Sequence, residues 1–228
     1  MPENASPNPA PEPAAPDAPE SSRPVEAAGV TPAEHRAAQA HRVTRETDVL
    51  VRLDLDGAGV TDVTTGVPFL DHMLDAFGRH GLFGLTVHAT GDTQVDDHHT
   101  VEDVGIVLGG VVREALGDLR GIVRFAHAYV PMDEALVLCA IDISGRGQAH
   151  VALPVPTQFV GTFDTQLAKE FFIAFAANAG LTLHERLVCG ENSHHIIEAS
   201  FKALGRALMA ATRLDPRVSG VPSTKGSL

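Results

Sequence analysis

The chain has 228 residues, a mass of 24.0 kDa and 44% hydrophobic side chains, enough to bury a core of one or two domains. A formal charge of −12 argues against nucleic-acid binding, which needs clustered Lys and Arg, but locally basic residues could still hold a small anionic substrate. No run approaches 18 apolar residues, so no membrane partner is expected, and Cys139 and Cys189 read as free thiols of a reducing, cytoplasmic compartment.

In chain order, residues 1–40 come first and hold nine of the fifteen prolines. They lack both a signal peptide's apolar core and the surface needed to offset ordering entropy, so a disordered Pro/Ala-rich tail is expected, with at most a short helix at 32–40. The folded domain is then expected to span 41–228. Residues 47–57 alternate, with Val49, Val51, Leu53 and Leu55 on one face of a strand, and a second short strand fits 60–64. Pro68 opens a helix over 68–80. A strand at 85–91 precedes a long helix over 97–118, capped by Asp96 or Asp97. Strands at 121–130, 134–144 and 147–153, a helix over 165–178, a strand at 181–188 and a helix over 193–213 complete the chain.

The second half repeats the first. LTVHATGDTQVDDHHTVE (85–102) aligns without gaps on LTLHERLVCGENSHHIIE (181–198), at a constant offset of 96. The fold class predicted is α+β: two duplicated β-β-α-β-α halves, about 41–120 and 121–213, related by a pseudo-twofold axis.

Each copy carries His-His-x-x-Glu at a helix start: His98, His99 and Glu102, then His194, His195 and Glu198. On a helix, residues i and i+4 share a face, so His98 lies over Glu102 while His99 points to the next sector. One such pair reads equally well as a helix cap or a hydrogen-bonded carboxylate partner. Two copies at the same point of a duplicated helix favour metal ligation, with Mn, Fe, Zn and Co all compatible with mixed imidazole and carboxylate donors. His72, on the shorter first-half helix, is a further candidate; its counterpart, across a two-residue gap, is Glu170. Eight ligands result. The spacing suggests His98, Glu102, Glu170 and His195 on one ion, and His72, His99, His194 and Glu198 on the other.

FLDHML, DDHHTVED, EFF…NAGLTLH, GENSHHIIEASFKALGRAL and PSTKG together resemble the imidazoleglycerol-phosphate dehydratase family of histidine biosynthesis, over about residues 41–228. The resemblance implies two superimposable halves, each a four-stranded sheet with two helices, and two Mn²⁺ per active site. It also implies homo-oligomers of 24 subunits built from trimers, with active sites at subunit contacts. Many family members carry His where this chain has Glu170. The implied reaction is dehydration of D-erythro-imidazoleglycerol phosphate to imidazole acetol phosphate, through an imidazolate bound by two metals. Glu46, in TRETDV, is then the acid/base carboxylate. His72, His98 and His194 also border this small phosphorylated imidazole. Lys202, Arg124, Arg146, Ser223, Thr224 and Lys225 are expected to hold its phosphate, with Gly226 adding a backbone donor. His80, His88, His150 and His184 are expected to be structural. The rivals are a di-metal phosphoester hydrolase and a ferritin-like metal store; β-rich repeats and a phosphate-type motif count against the store.

Overall fold

The structure is a computed structural model that describes residues 36–226. The elements run β1 (Ala37–Val43), β2 (Thr47–Asp54), β3 (Thr61–Thr64), α1 (Pro68–Gly81), β4 (Gly84–Gly91) and α2 (His98–Leu116) in the first half. The second half runs β5 (Phe125–Met132), β6 (Ala135–Asp142), β7 (Gln148–Ala152), a two-residue hairpin β8 (Phe159–Val160) and β9 (Phe163–Asp164), α3 (Gln166–Ala179), β10 (Thr182–Cys189) and α4 (Ser193–Thr212). The fold is α+β, with four helices and two four-stranded sheets.

The sheets have the orders β1-β2-β4-β3 and β5-β6-β10-β7. In each, the first three strands in that order are antiparallel and the last pair is parallel. One face of each sheet is buried: β2 hides Val49, Val51 and Leu53 while its alternate residues face outward. The helices of the two halves meet, α1 on α4 and α2 on α3, and each helix also packs on its own sheet. The core therefore lies in a helical layer between two sheets, with Phe77, Phe171, Phe172, Phe175 and Phe201 fully buried in it.

Two glycines show how closely the halves repeat. A Cβ on Gly109 of α2 would strike the carbonyl oxygen of Phe175, and one on Gly205 of α4 would strike that of Phe77. The glycines differ by 96 positions and the phenylalanines by 98. The extra two residues are Phe83 and Gly84. Leu82 and Gly180 are matching left-handed helix caps (φ 58° and 68°), but β4 starts after Phe83 whereas Leu181 follows Gly180 directly.

Three expectations need correction. The short helix at 32–40 is not formed over its described part, because Ala37–Val43 is strand β1, paired with β2 from Ala37↔Asp54 to Val43↔Asp48. Local helix propensity loses there to seven cross-strand pairings, and the ordered domain begins before residue 41. Residues 1–35, where the disordered tail was expected, lie outside the described residues. The repeat is accordingly β-β-β-α-β-α, since four strands per half require three before the first helix. Lastly, β5 starts at Phe125; residues 121–124 instead run along the end of α4, where Val123 and Arg124 donate to the carbonyls of Arg213 and Ala211.

Candidate metal centre

The start of α4 gathers the tightest group of candidate donors. Asn192 caps the helix, its side-chain oxygen accepting from the backbone of His194 and His195. His194 then lies over Glu198 one turn on, with Nε2 2.9 Å from Oε2, and α1 brings His72 Nε2 to 3.2 Å from the same oxygen. One donor atom from each of the three residues falls within a common 4.8 Å. Glu198 is buried, and Lys202 reaches its other oxygen at 2.7 Å. Burial opposes ionisation of Glu198, but the hydrogen bonds from Lys202 and His194 and the Lys202 charge outweigh it and pull the carboxyl down to about 2. Two imidazoles and an ionised carboxylate, clustered on two helices that pack together, form a mixed donor set that could hold a divalent metal ion.

The first half offers the counterpart at the start of α2. The N-cap is Asp97, but its side chain makes no capping bond; the Asp96 carboxylate accepts from the His98 backbone at 2.9 Å. His98 Nε2 lies 3.8 Å from Glu102, and His98 also lines a cavity of about 440 Å³ shared with Phe159 and Thr162 of the β8–β9 hairpin. Glu170 stands on α3 where His72 stands on α1, as the 98-residue offset of Phe77 and Phe175 requires. It is partly buried.

The second histidine of each motif faces elsewhere. His99 Nδ1 is 3.1 Å from Asp92 and 3.9 Å from Glu46, which sits on the β1–β2 turn. His195 Nδ1 is 2.7 Å from Glu134, on the β5–β6 turn, and its Nε2 is 3.5 Å from Asp133. The Asp92 and Glu134 hydrogen bonds raise the pKa values of the two rings, and the His195 bond helps hold Glu134 at about 2. Sequence reasoning did not find Asp92, Asp133 or Glu134; all three reach the histidines from turns, at no fixed spacing.

The phosphate candidates do not form one group. Lys202 belongs to the His72–His194–Glu198 cluster. Arg124 lies at the other end of α4, where Asp142 (2.7 Å) and the Pro222 carbonyl (2.7 Å) take its guanidinium. Arg146 is exposed nearby, 4.0 Å from Asp142, and Pro222 brings the segment with Ser223, Thr224, Lys225 and Gly226 to the same corner. Arg124 bonds to Ala211, seventeen residues along α4 from His194, which places the two groups roughly 25 Å apart in one chain. His88 and His184, expected to be structural, lie on the sheets' outer faces, His88 paired with Asp62 at 3.0 Å and His184 stacked on His150.

Fold and site together define a duplicated α+β protein with a His/Glu metal-type centre at the start of its long helices. The family model of imidazoleglycerol-phosphate dehydratase matches residues 65–208. Dehydratases of that name from Desulforamulus reducens and Thermoanaerobacter pseudethanolicus are each 58% identical, over 85% of this chain and 99% and 100% of their own lengths. Solved structures agree. The Staphylococcus aureus dehydratase superposes with a TM-score of 0.72 at 40% identity, over 78% of this chain and 99% of its own. The Pyrococcus furiosus enzyme, solved with (S)-C348, gives 0.72 at 39% identity, over 83% and 100%. The chain belongs to the imidazoleglycerol-phosphate dehydratase family and is a hydro-lyase of histidine biosynthesis.

Proposed function

We propose that this chain dehydrates D-erythro-imidazoleglycerol phosphate to imidazole acetol phosphate in the cytoplasm, using two Mn²⁺ per active site. The observation that carries the metal reading is the convergence of His72, His194 and Glu198 donor atoms within 4.8 Å; the matching positions of the other half, His98, Glu102 and Glu170, do not converge in this way among the described residues. His72, His194 and Glu198, joined by His99, would hold one ion; His98, Glu102 and Glu170, joined by His195, would hold the other. Bound there, the ions would serve as Lewis acids and templates for the substrate imidazole.

The remaining work falls to side chains of the protein. Glu46, beside His99, takes the C2 proton and returns a proton to the departing C3 hydroxide, so that water leaves, and the resulting enol tautomerises to the ketone. His72, His98 and His194 border the imidazole. Arg146, Lys225, Ser223 and Thr224 bind the phosphate, while Arg124 anchors the C-terminal segment through Pro222 and adds to the local positive charge.

One chain cannot supply all of this to one substrate. The metal-type cluster and the phosphate corner lie about 25 Å apart along α4, farther than a six-carbon imidazole phosphate reaches. The complete site therefore draws on neighbouring subunits, in keeping with trimers that build a 24-subunit shell. The test is to incubate purified protein with imidazoleglycerol phosphate and Mn²⁺ and to follow the ketone product. Retained metal with phosphate release and no ketone would instead favour a di-metal phosphoester hydrolase.

A further inference from the structure

Beyond the eight candidate ligands, we propose that Glu134 and Asp92 are positioning residues that fix His195 and His99 for metal binding; the inference rests on the metal reading above. A carboxylate can only accept, so a ring nitrogen bonded to one must carry the proton. Glu134 Oε2 lies 2.7 Å from His195 Nδ1, and Asp92 lies 3.1 Å from His99 Nδ1. In the neutral form that binds a metal, both rings therefore carry their proton on Nδ1 and leave the Nε2 lone pair for a ligand. The open side of His195 already faces a negative group, the exposed Asp133 carboxylate 3.5 Å from Nε2.

Glu134 does more than orient a ring. Its Oε1 accepts from the backbone of Glu191 (3.2 Å) and of Asn192 (2.8 Å), the α4 cap residue. One side chain thus ties the β5–β6 turn, the entry to α4 and the His195 tautomer together. Asp92, just past the end of β4, is likewise held in place: its backbone N–H donates to the Glu46 carbonyl at 3.1 Å. Both second histidines thus meet a carboxylate on Nδ1, but from different places: Asp92 follows β4, whereas Glu134 sits on the β5–β6 turn, whose first-half counterpart carries Glu46, 3.9 Å from His99 Nδ1. Outer carboxylates of this kind lock ring orientation and raise ligand basicity, and their loss typically lowers metal affinity 10- to 100-fold.

Glu134→Gln separates the two roles. Its amide oxygen can keep the bonds from Glu191 and Asn192, but its NH₂ then meets Nδ1 as a donor and drives the ring proton onto Nε2. Metal-free full-length protein is titrated with Mn²⁺, free ion being read by electron paramagnetic resonance, and metal-free melting is recorded in parallel. Expected is a roughly 10- to 100-fold weaker Mn²⁺ site in Glu134→Gln, with melting close to wild type. Glu134→Asp, which keeps an acceptor, recovers part of the affinity, and Asp92→Asn weakens binding in the same way should Glu134→Gln fail to fold. Wild-type affinity in both Glu134→Gln and Asp92→Asn overturns the inference. A wild-type protein that binds no Mn²⁺ sinks the metal reading itself.

Discussion

Glu185 is a carboxyl buried where no charge can be satisfied. It lies on the inner face of β10, fully inaccessible, and neither oxygen has a hydrogen-bond partner of normal geometry among the described residues. Its cross-strand neighbour is the Cys139 thiol, a weak donor. Burial pushes the Glu185 pKa well above the usual 4.5, so the side chain sits in the core as the neutral acid. At the same point of the first half, 96 residues earlier, stands buried Ala89, so the fold accepts an apolar side chain there. Glu185→Met keeps the length and removes both oxygens. Relief of an unsatisfied buried polar group is worth about 1–3 kcal/mol, against less than about 1.5 kcal/mol for imperfect repacking. The variant should be more stable, and the gain should depend on pH. An acid whose folded pKa is raised gives its full stability below the unfolded pKa and loses it as pH rises towards the folded value. Each pH unit in that window costs the wild type about 1.4 kcal/mol, a cost Met does not carry. Urea unfolding at pH 5.5 and pH 8, at fixed protein and metal concentration, should show a larger midpoint gain at pH 8. A less stable variant, or an equal gain at both pH values, would refute this reasoning.

Gly109→Ala and Gly205→Ala should each destabilise by about 1–3 kcal/mol, since the added methyl meets a helix carbonyl oxygen; paired melting curves test this, and a neutral result at one glycine alone would break the proposed symmetry. Glu46→Gln should lower kcat by about 10²-fold or more with metal content unchanged, whereas Lys225→Ala should chiefly raise KM; steady-state kinetics with metal analysis separate the two. If the chain assembles into the proposed 24-subunit shell, chelation should take it to trimers and Mn²⁺ should restore it, because a metal held between chains adds its binding free energy to association; light scattering reads the mass, and an unchanged mass would show that protein contacts suffice.

Much of this architecture is legible in the sequence because its patterns are strong. β2 alternates without a break, and the long helices α2 and α4 start at identical motifs 96 residues apart. His194 and Glu198 could be named from that repeat and from helix periodicity; His72 stands outside the motif and joins them only through the packing of α1 on α4. β1 could not. AAQAHRV has no bulky apolar alternation, and only its pairing with β2 makes it a strand. The β8–β9 hairpin is two residues to a strand, too short for any period to register. The match of Glu170 to His72 needed a two-residue gap that becomes explicable only once Phe83 and Gly84 are seen between helix cap and strand. Charge and motif alone group Lys202 with the phosphate residues, but helical spacing puts it one turn from Glu198, where it makes a 2.7 Å ion pair. Asp92 and Glu134 reach their histidines across turns, a tertiary relation that no local spacing encodes.

Two ligand sets, one in each half, are proposed to hold two ions. Crystals grown with Mn²⁺, with anomalous difference maps collected near the manganese edge, test this most directly. One peak is expected within coordinating distance of His72, His194 and Glu198, and a second beside His98, Glu102 and Glu170, each completed by His99 or His195 of another subunit. No peak at either set, or a peak that leaves Glu198 and Glu102 unligated, would contradict it.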